Sequence, residues 1–500
     1  MRMAPDDEHN NKLMDNVHPS DWVNPEPASR YHLVVIGGGT AGLVSAAGAA
    51  GLGARVALVE RHLMGGDCLN VGCVPSKGVI SAARAWHAAR NAGAFGGPAS
   101  EGDGDFGFAM ERMRRLRAGI APHDSAARFR DLGIDVFLGE GRFISGEEVE
   151  VDGRRLRFRR AVIATGGRAA APPIPGLDTI DYLTNETVFS LTDLPARFGV
   201  IGAGPIGCEM SQAFARLGSR TTLFEMTGHV LPREDPDAAA VVQEQMIADG
   251  VELQLKVKVI GVEKRADGIA VRYERDGATS ESIVDELLVA VGRAPNVDGL
   301  GLEEAGVQYE RGGVLVDDRL RTTNTRIFAC GDVASAYKFT HTADAQARIV
   351  IQNALFFGRK RTSELVIPWC TYTSPEIAHV GMYADDARDL GVEVDTLTVP
   401  FSDVDRAVLD GEDEGFLRLH VKSGSDRIVG ATLVAPHAGD MIGELCLAIT
   451  AGIGLEKISA TIHPYPTTAE IIKRAGDAYN RTRLTPRAKR FFDLWFRVFT

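Results

Sequence analysis

Tyr31-His32-Leu33-Val34-Val35-Ile36-Gly37-Gly38-Gly39-Thr40-Ala41-Gly42 decides the fold of this 500-residue chain. Six mostly apolar residues running straight into glycine read as a buried parallel strand. Small residues from Leu43 to Leu52 continue as a helix, and Val56–Glu60 (VALVE) is a second strand ending in an acid. The whole is a βαβ unit with Gly-x-Gly-x-x-Gly at its first turn. Gly37 permits the turn, Gly39 lets a pyrophosphate approach the backbone, and Gly42 lets helix and strand pack closely. Glu60 is placed to accept hydrogen bonds from an adenosine ribose.

The pattern recurs downstream. Phe198–Ile201 leads into Gly202-Ala203-Gly204-Pro205-Ile206-Gly207, a helix follows, and Thr221–Glu225 again ends in an acid. Gly37 and Glu60 are 23 positions apart, as are Gly202 and Glu225. One glycine fingerprint is a weak signal, but two with the same strand, helix and acid imply two bound dinucleotides.

Between the two units lies Gly65-Gly66-Asp67-Cys68-Leu69-Asn70-Val71-Gly72-Cys73-Val74-Pro75-Ser76-Lys77. Pro75 suits a first helical turn, which places Cys73 at the positive end of the helix dipole. That position lowers a thiol pKa, and Lys77 lies one turn further on. A low-pKa thiol beside a second thiol makes a disulfide that opens and closes rather than a structural staple. The first dinucleotide, next to this pair, is expected to be a flavin that can pass electrons to sulfur, and the second the nicotinamide donor. Glu225 favours a free ribose 2′-OH, so NADH is expected ahead of NADPH. Met226, Thr227 and Gly228 offer no cation for a 2′-phosphate, and Arg233 is the nearest downstream.

With both glycine loops and the cysteine segment on the page, the chain resembles the FAD-dependent pyridine nucleotide–disulfide oxidoreductases, among them dihydrolipoamide dehydrogenase, glutathione reductase and mercuric reductase. The likeness runs from about Tyr31 to Tyr479. It includes Ala164-Thr165-Gly166, Val291-Gly292-Arg293-Ala294-Pro295-Asn296, Ile327-Phe328-Ala329-Cys330-Gly331-Asp332 and Tyr372–Gly381. The resemblance implies an α/β fold with two Rossmann-like domains, for FAD and NAD, and a C-terminal α+β dimerisation domain. FAD binding would occupy residues 30–165 and 295–360, NAD(P) binding 166–294, and dimerisation 365–480. Outside the likeness, residues 1–29 hold Asp, Asn and Pro with no periodicity and are expected to form a flexible arm with Trp22 as its pin, and 481–500 a basic aromatic tail.

The resemblance also implies roles. Cys68 would be the interchange thiol that meets the acceptor and Cys73 the thiol against the flavin. Lys77, paired with Glu209, would lie near the flavin N5. Gly66, Asp67, Thr165, Gly166, Gly331 and Asp332 would contact FAD, and Gly292 would contact NAD. The active site would be shared across a homodimer.

One segment departs from the pattern. In His463-Pro464-Tyr465-Pro466-Thr467-Thr468-Ala469-Glu470, Tyr465 stands where dihydrolipoamide dehydrogenase and glutathione reductase carry a catalytic His, which a Glu at position 470 orients. A tyrosine, with a reference pKa of about 10, is a poor base near neutrality. Mercuric reductase also carries Tyr there, but it delivers metal through a C-terminal cysteine pair, and no cysteine here follows Cys446. His463 is open to two readings, a substitute base or an interface contact. The acceptor is expected to be a disulfide or a metal ion. The rivals are direct electron transfer from flavin to quinone, oxygen or metal, and a non-enzymatic NADH-sensing flavoprotein.

Composition sets the frame. Hydrophobic residues make up 45%, charged residues 24% and glycines 55 positions, a globular balance with many turns. A net charge of −12 argues against a nucleic-acid partner. Six cysteines are too few for a secreted disulfide scaffold. The polar N-terminus is unlike a signal peptide, and a cytoplasmic location is expected. Cys208, Cys330, Cys370 and Cys446 are expected to be small buried hydrophobes, with no bound metal. Residues 92–105 are glycine-rich and expected to form a loop. The tail sets six Lys/Arg beside Phe491, Phe492, Trp495 and Phe499, a composition suited to a membrane surface, a docking partner or the chain's own dimer.

Overall fold

The structure, a computed structural model, describes residues 3–100, 102 and 104–499. Glu101 and Asp103 of the glycine-rich stretch, and Thr500 of the tail, lie outside the described residues. The chain divides into two compact units, Met1–Met226 with Gly250–Leu365, and Thr227–Asp249 with Val366–Thr500.

In the first unit β3 (Asp135–Leu138), β2 (Val56–Glu60), β1 (Tyr31–Ile36) and β6 (Arg154–Ile163) pair in parallel in that order. The strand Ile327–Ala329 joins β6 in parallel, carrying the chain end that precedes Gly331-Asp332 back to the first glycine loop. The hairpin partners β5 (Glu148–Val151) and β4 (Gly141–Ser145) extend the sheet antiparallel to β6. Every residue of β2 and all but His32 of β1 are buried, as apolar runs covered on both faces should be. A second parallel sheet orders Glu252–Gln254, Arg220–Phe224, Arg197–Ile201 and Glu286–Val289. The two parallel sheets, assigned from sequence to separate domains, share this unit.

Three expectations are corrected. The N-terminal arm is not loose: helix α1 (Glu8–Val17) forms, with the Asp7 carboxylate accepting the Asn10 N–H at 2.8 Å as its cap. Leu13 and Val17, one turn apart, are fully buried in a core shared with Leu63, Met64 and Leu69. Trp22 does pin the segment, donating from Nε1 to Val136 O at 3.2 Å. The next helix, α2 (Thr40–Gly51), begins at Thr40 rather than Leu43, because Gly39 already serves as its N-cap. The second acid, Glu225, falls one residue past the end of its strand.

The second unit is built on an antiparallel sheet ordered Pro368–Thr371, Glu376–Gly381, Ile428–Ala435, Phe416–Lys422 and Val394–Pro400. Helices Ala438–Ala451 and Glu470–Thr482 bury Leu445, Ile471 and Ile472 in its core. The 227–249 segment is tied to this sheet by the buried Glu234 carboxylate, which accepts from Trp369 Nε1 at 2.8 Å and from the Tyr383 hydroxyl. Burial pushes the Glu234 carboxyl above its ordinary pKa, against these two donors. Among the described residues no helix is long and apolar enough to cross a membrane.

Candidate active site

The two glycine loops repeat one geometry. Gly37 and Gly202 hold φ of +110° and +100°, a left-handed turn that side chains resist. A Cβ at Gly42 would lie 1.8 Å from Gly37 O, and one at Gly207 1.9 Å from Gly202 O, so each third glycine is required by close packing. The caps Gly39 and Gly204 give no side-chain hydrogen bond to their helices, which leaves the first N–H groups for a ligand phosphate. Each acid closes its own loop. Glu60 accepts the Gly38 N–H, and Glu225 accepts the Ala203 N–H at 2.7 Å. The second Glu60 oxygen accepts the His62 N–H at 2.6 Å. Glu60 is buried, and burial raises its pKa against these two N–H donors. Each carboxylate retains acceptor capacity for a ribose hydroxyl. The loops therefore fit two dinucleotides.

Cys68 lies inside the short helix α3 (Gly66–Asn70), and Cys73 opens α4 (Cys73–Arg90) as its first residue, with Pro75 in the first turn. A Cβ at Gly66 would come within 2.6 Å of Gly39 Cα, so α3 rests directly on the first glycine loop. The N-terminal helix is linked to α3 through a side chain of a third helix. Buried Arg117, on α5 (Phe106–Ile120), donates to Asn70 O at 2.6 Å and to Asn10 Oδ1 at 2.7 Å, and Met64 N–H donates to Val17 O at 3.0 Å. Burial and the neighbouring Arg114 lower the Arg117 pKa to about 10.

The thiols are unequal. Cys73 is exposed and Cys68 half-buried, and both are free. Although the residue as a whole is exposed, its sulfur is crowded by Cys68 and Thr340; a hydrogen bond from Cys68 holds the Cys73 thiol down to about 6 against that local loss of water, helped by Thr340 and the charge of Lys77. Thr340 Oγ1 lies 3.3 Å from Cys73 Sγ. Cys68 moves the other way, raised because it keeps the proton it shares with Cys73 and because it is buried. Lys77 Nζ donates to Glu209 Oε2 at 2.8 Å, and Glu209 is only 6% exposed.

The pairing makes a pH prediction. Reactivity follows the thiolate fraction, so alkylation of Cys73 in the reduced enzyme by iodoacetamide reaches its plateau near neutrality. It falls to half as the pH drops through about 6, where the thiolate takes up its proton. A single midpoint at 8 or above, the range of an ordinary thiol, would contradict the arrangement.

Two of the other expected contact residues, Asp67 and Asp332, share one partner. Arg293 donates to Asp67 and, at 3.2 Å, to Asp332. Burial works against the Arg293 charge, but the two carboxylates outweigh it and hold the guanidinium protonated. Asp332 is pushed up by its own burial. Thr165 and Gly166 both bond to Asn296, Gly331 N–H donates to Gln346 Oε1 at 2.8 Å, and Gly292 O accepts the Ala170 N–H at 3.0 Å. Arg293, Thr340 and Lys338, which donates to Arg293 O at 2.7 Å, went unassigned from sequence. Arg293 lies in the Gly292-Arg293-Ala294-Pro295 motif, while Thr340 carries no motif signal.

In the second unit, Tyr465 donates to Asp405 at 2.8 Å, which raises its pKa and makes it a still poorer base. Glu470 accepts from Arg474 at 3.2 Å, and Arg474 lies 3.7 Å from Asp405, so Tyr465 and Glu470 are joined through Asp405 and Arg474 rather than directly. Both His463 ring nitrogens have partners, Thr461 O at 3.2 Å and Glu444 Oε1 at 3.0 Å. Both partners belong to the same chain as His463. Among the remaining cysteines, Cys208 and Cys330 are buried as expected, while Cys370 and Cys446 are only half-buried.

Residues 31–347 match pyridine nucleotide-disulphide oxidoreductases, and residues 367–476 match the dimerisation domain of the same family. The mercuric reductase of Streptomyces lividans is 35% identical over 456 residues, covering 90% of this chain and 96% of that one. The dihydrolipoyl dehydrogenase of Geobacillus stearothermophilus is 34% identical over 454 residues, covering 89% and 95%. The solved structure of the HOCl-induced flavoprotein disulfide reductase RclA from Escherichia coli is 30% identical, with a TM-score of 0.80, covering 89% of this chain and 99% of that one. Members of the family depend on FAD and take electrons from NAD(P)H. With its two glycine loops, its cysteine pair and its dimerisation domain, this chain belongs to the pyridine nucleotide-disulphide oxidoreductases.

Proposed function

We propose that the chain is an NADH-dependent flavoprotein reductase whose Cys68–Cys73 pair delivers electrons to a soft or redox-active metal ion, or to a small disulfide. The carrying observation is the unequal thiol pair, Cys68 in α3 and Cys73 at the start of α4, with α3 resting on the first glycine loop. Bound at that loop, FAD would supply hydride acceptance from the nicotinamide and two-electron reduction of the disulfide.

The chain's own residues do the rest. Thr340, Lys77 and the helix dipole hold the negative charge on Cys73 once the disulfide is open. Cys68 keeps the remaining proton. Re-forming the sulfur–sulfur bond releases two electrons and that proton, enough to take one Hg(II) to Hg(0) or two Cu(II) to Cu(I). The other product route takes one external disulfide to one thiol, which receives that proton, and one thiolate, which takes its proton from water. The metal branch needs no protein base, which fits a Tyr465 already committed to Asp405. Mercuric reductases among the relatives, and a Cu(II) complex of RclA among the related structures, support the same branch. In the homodimer, Tyr465 and Glu470 of one copy would complete the site of the other.

Anaerobic titration with NADH tests the scheme. It should reduce the protein and raise a long-wavelength absorption from a thiolate held against the flavin. Glu225 should make kcat/KM for NADH at least about tenfold higher than for NADPH. A panel of Hg(II), Cu(II), lipoamide, glutathione disulfide and quinones then identifies the acceptor. Turnover restricted to quinones, with no thiolate band, would overturn the proposal.

A further inference from the structure

The C-terminal helix Pro486–Phe499 lies beyond residue 476, where the match to the dimerisation domain ends. None of its side chains is buried. Phe491, Leu494, Trp495, Val498 and Phe499 recur at the i, i+3, i+4, i+7, i+8 spacing of one helical face, and each is 47–67% exposed. Phe492 widens this stripe. Lys489, Arg490, Asp493 and Arg497 hold the opposite side. The helix itself carries four Lys/Arg against one Asp, in a chain whose formal net charge is −12. At 1.5 Å per residue the helix is about 21 Å long, short of the ~30 Å hydrocarbon core, so it can lie on a bilayer but cannot span one.

We infer that this helix docks the protein onto the surface of an anionic phospholipid bilayer. The apolar face, rich in Phe and Trp, would sink to the level of the headgroups and acyl boundary, while the basic side chains meet the lipid phosphates. Charge selects this occupant. Pairing the helix with its copy in a second chain would set two strongly basic segments side by side, whereas an anionic surface neutralises both. Two tails per homodimer would bind together, so weak contacts add to a stable attachment. The inference is independent of the acceptor, since it uses no residue of the thiol site.

Co-sedimentation of the full-length holoenzyme with vesicles tests it. Vesicles of phosphatidylcholine with a third phosphatidylglycerol should carry the protein down, and vesicles of phosphatidylcholine alone should not. Raising the salt should release it. The triple variant Arg487→Glu/Lys489→Glu/Arg490→Glu and the double variant Phe491→Ser/Trp495→Ser should each bind at least about tenfold more weakly, with NADH oxidation in solution unchanged. A chain lacking residues 485–500 should not bind. Failure of the intact protein to bind anionic vesicles would overturn the inference, as would equal binding by the variants. So would loss of the dimer on removing 485–500, which would assign the face to a second copy. Retention by acidic protein in place of vesicles would overturn it too.

Discussion

Replacing Cys68 or Cys73 by Ser lowers acceptor turnover by roughly a thousandfold or more, while reduction of the protein by NADH persists. A hydroxyl has nearly the shape of a thiol but cannot form the sulfur–sulfur bond, so either change removes the carrier without disturbing the glycine loops. The double variant should be no worse than either single one, because the two sulfurs act as one unit. The two singles still differ in a measurable way. In Cys68→Ser the serine hydroxyl can donate to Cys73 in place of the lost thiol, and Thr340 and Lys77 remain in place. The long-wavelength thiolate band should then appear even without NADH. In Cys73→Ser it should be absent at every stage. Stopped-flow absorbance with NADH, followed by addition of Hg(II) or lipoamide, separates these outcomes. Unimpaired turnover in both variants would remove the dithiol from the electron path.

The parts of this site that were legible in sequence are those in which local backbone geometry dictates residue type. Gly42 and Gly207 stand where any Cβ would collide with the turn of their own loop, so the fingerprint and the 23-residue spacing to the acid survive as a pattern. The position of Cys73 at a helix start followed from Pro75 alone. The partnership of Lys77 with Glu209, 132 positions away, came only through family resemblance. Contacts without a local signature were not legible. Nothing around Thr340 marks it as a neighbour of Cys73. Helix α1 escaped notice because EHNNKLMDNV buries a polar residue, Asn10, on the same side as Leu13 and Val17. That polar residue serves Arg117, and so α3, which only the folded chain makes apparent. Tyr465 was legible as a departure from the family, but its commitment to Asp405, 60 positions earlier, was not.

Lys77→Met should both destabilise the protein and retune the thiol, and the two effects can be separated. Lys77 is 37% exposed and Glu209 is 6% exposed, so the pair is buried on one side only. Removing one partner of a fully buried pair costs about 3–5 kcal/mol. With the lysine half in solvent, about 2 kcal/mol is expected, read as a lower midpoint in urea. Adding Glu209→Leu should recover most of that loss, because the carboxylate left in the protein without its lysine is then gone too. The thiol behaves differently. Lys77 favours the Cys73 thiolate and Glu209 opposes it, so Lys77→Met moves the alkylation midpoint upward from about 6. The double variant removes both charges, and the hydrogen bonds from Cys68 and Thr340 remain to hold Cys73 down. Its midpoint should fall between that of the single variant and the starting value. Stability and thiol pKa would then recover to different degrees in one protein. If the double variant restored stability but left the midpoint as high as in Lys77→Met, the Glu209 charge would play no part in setting the Cys73 pKa. If neither variant moved the midpoint, the ammonium would serve only to neutralise Glu209.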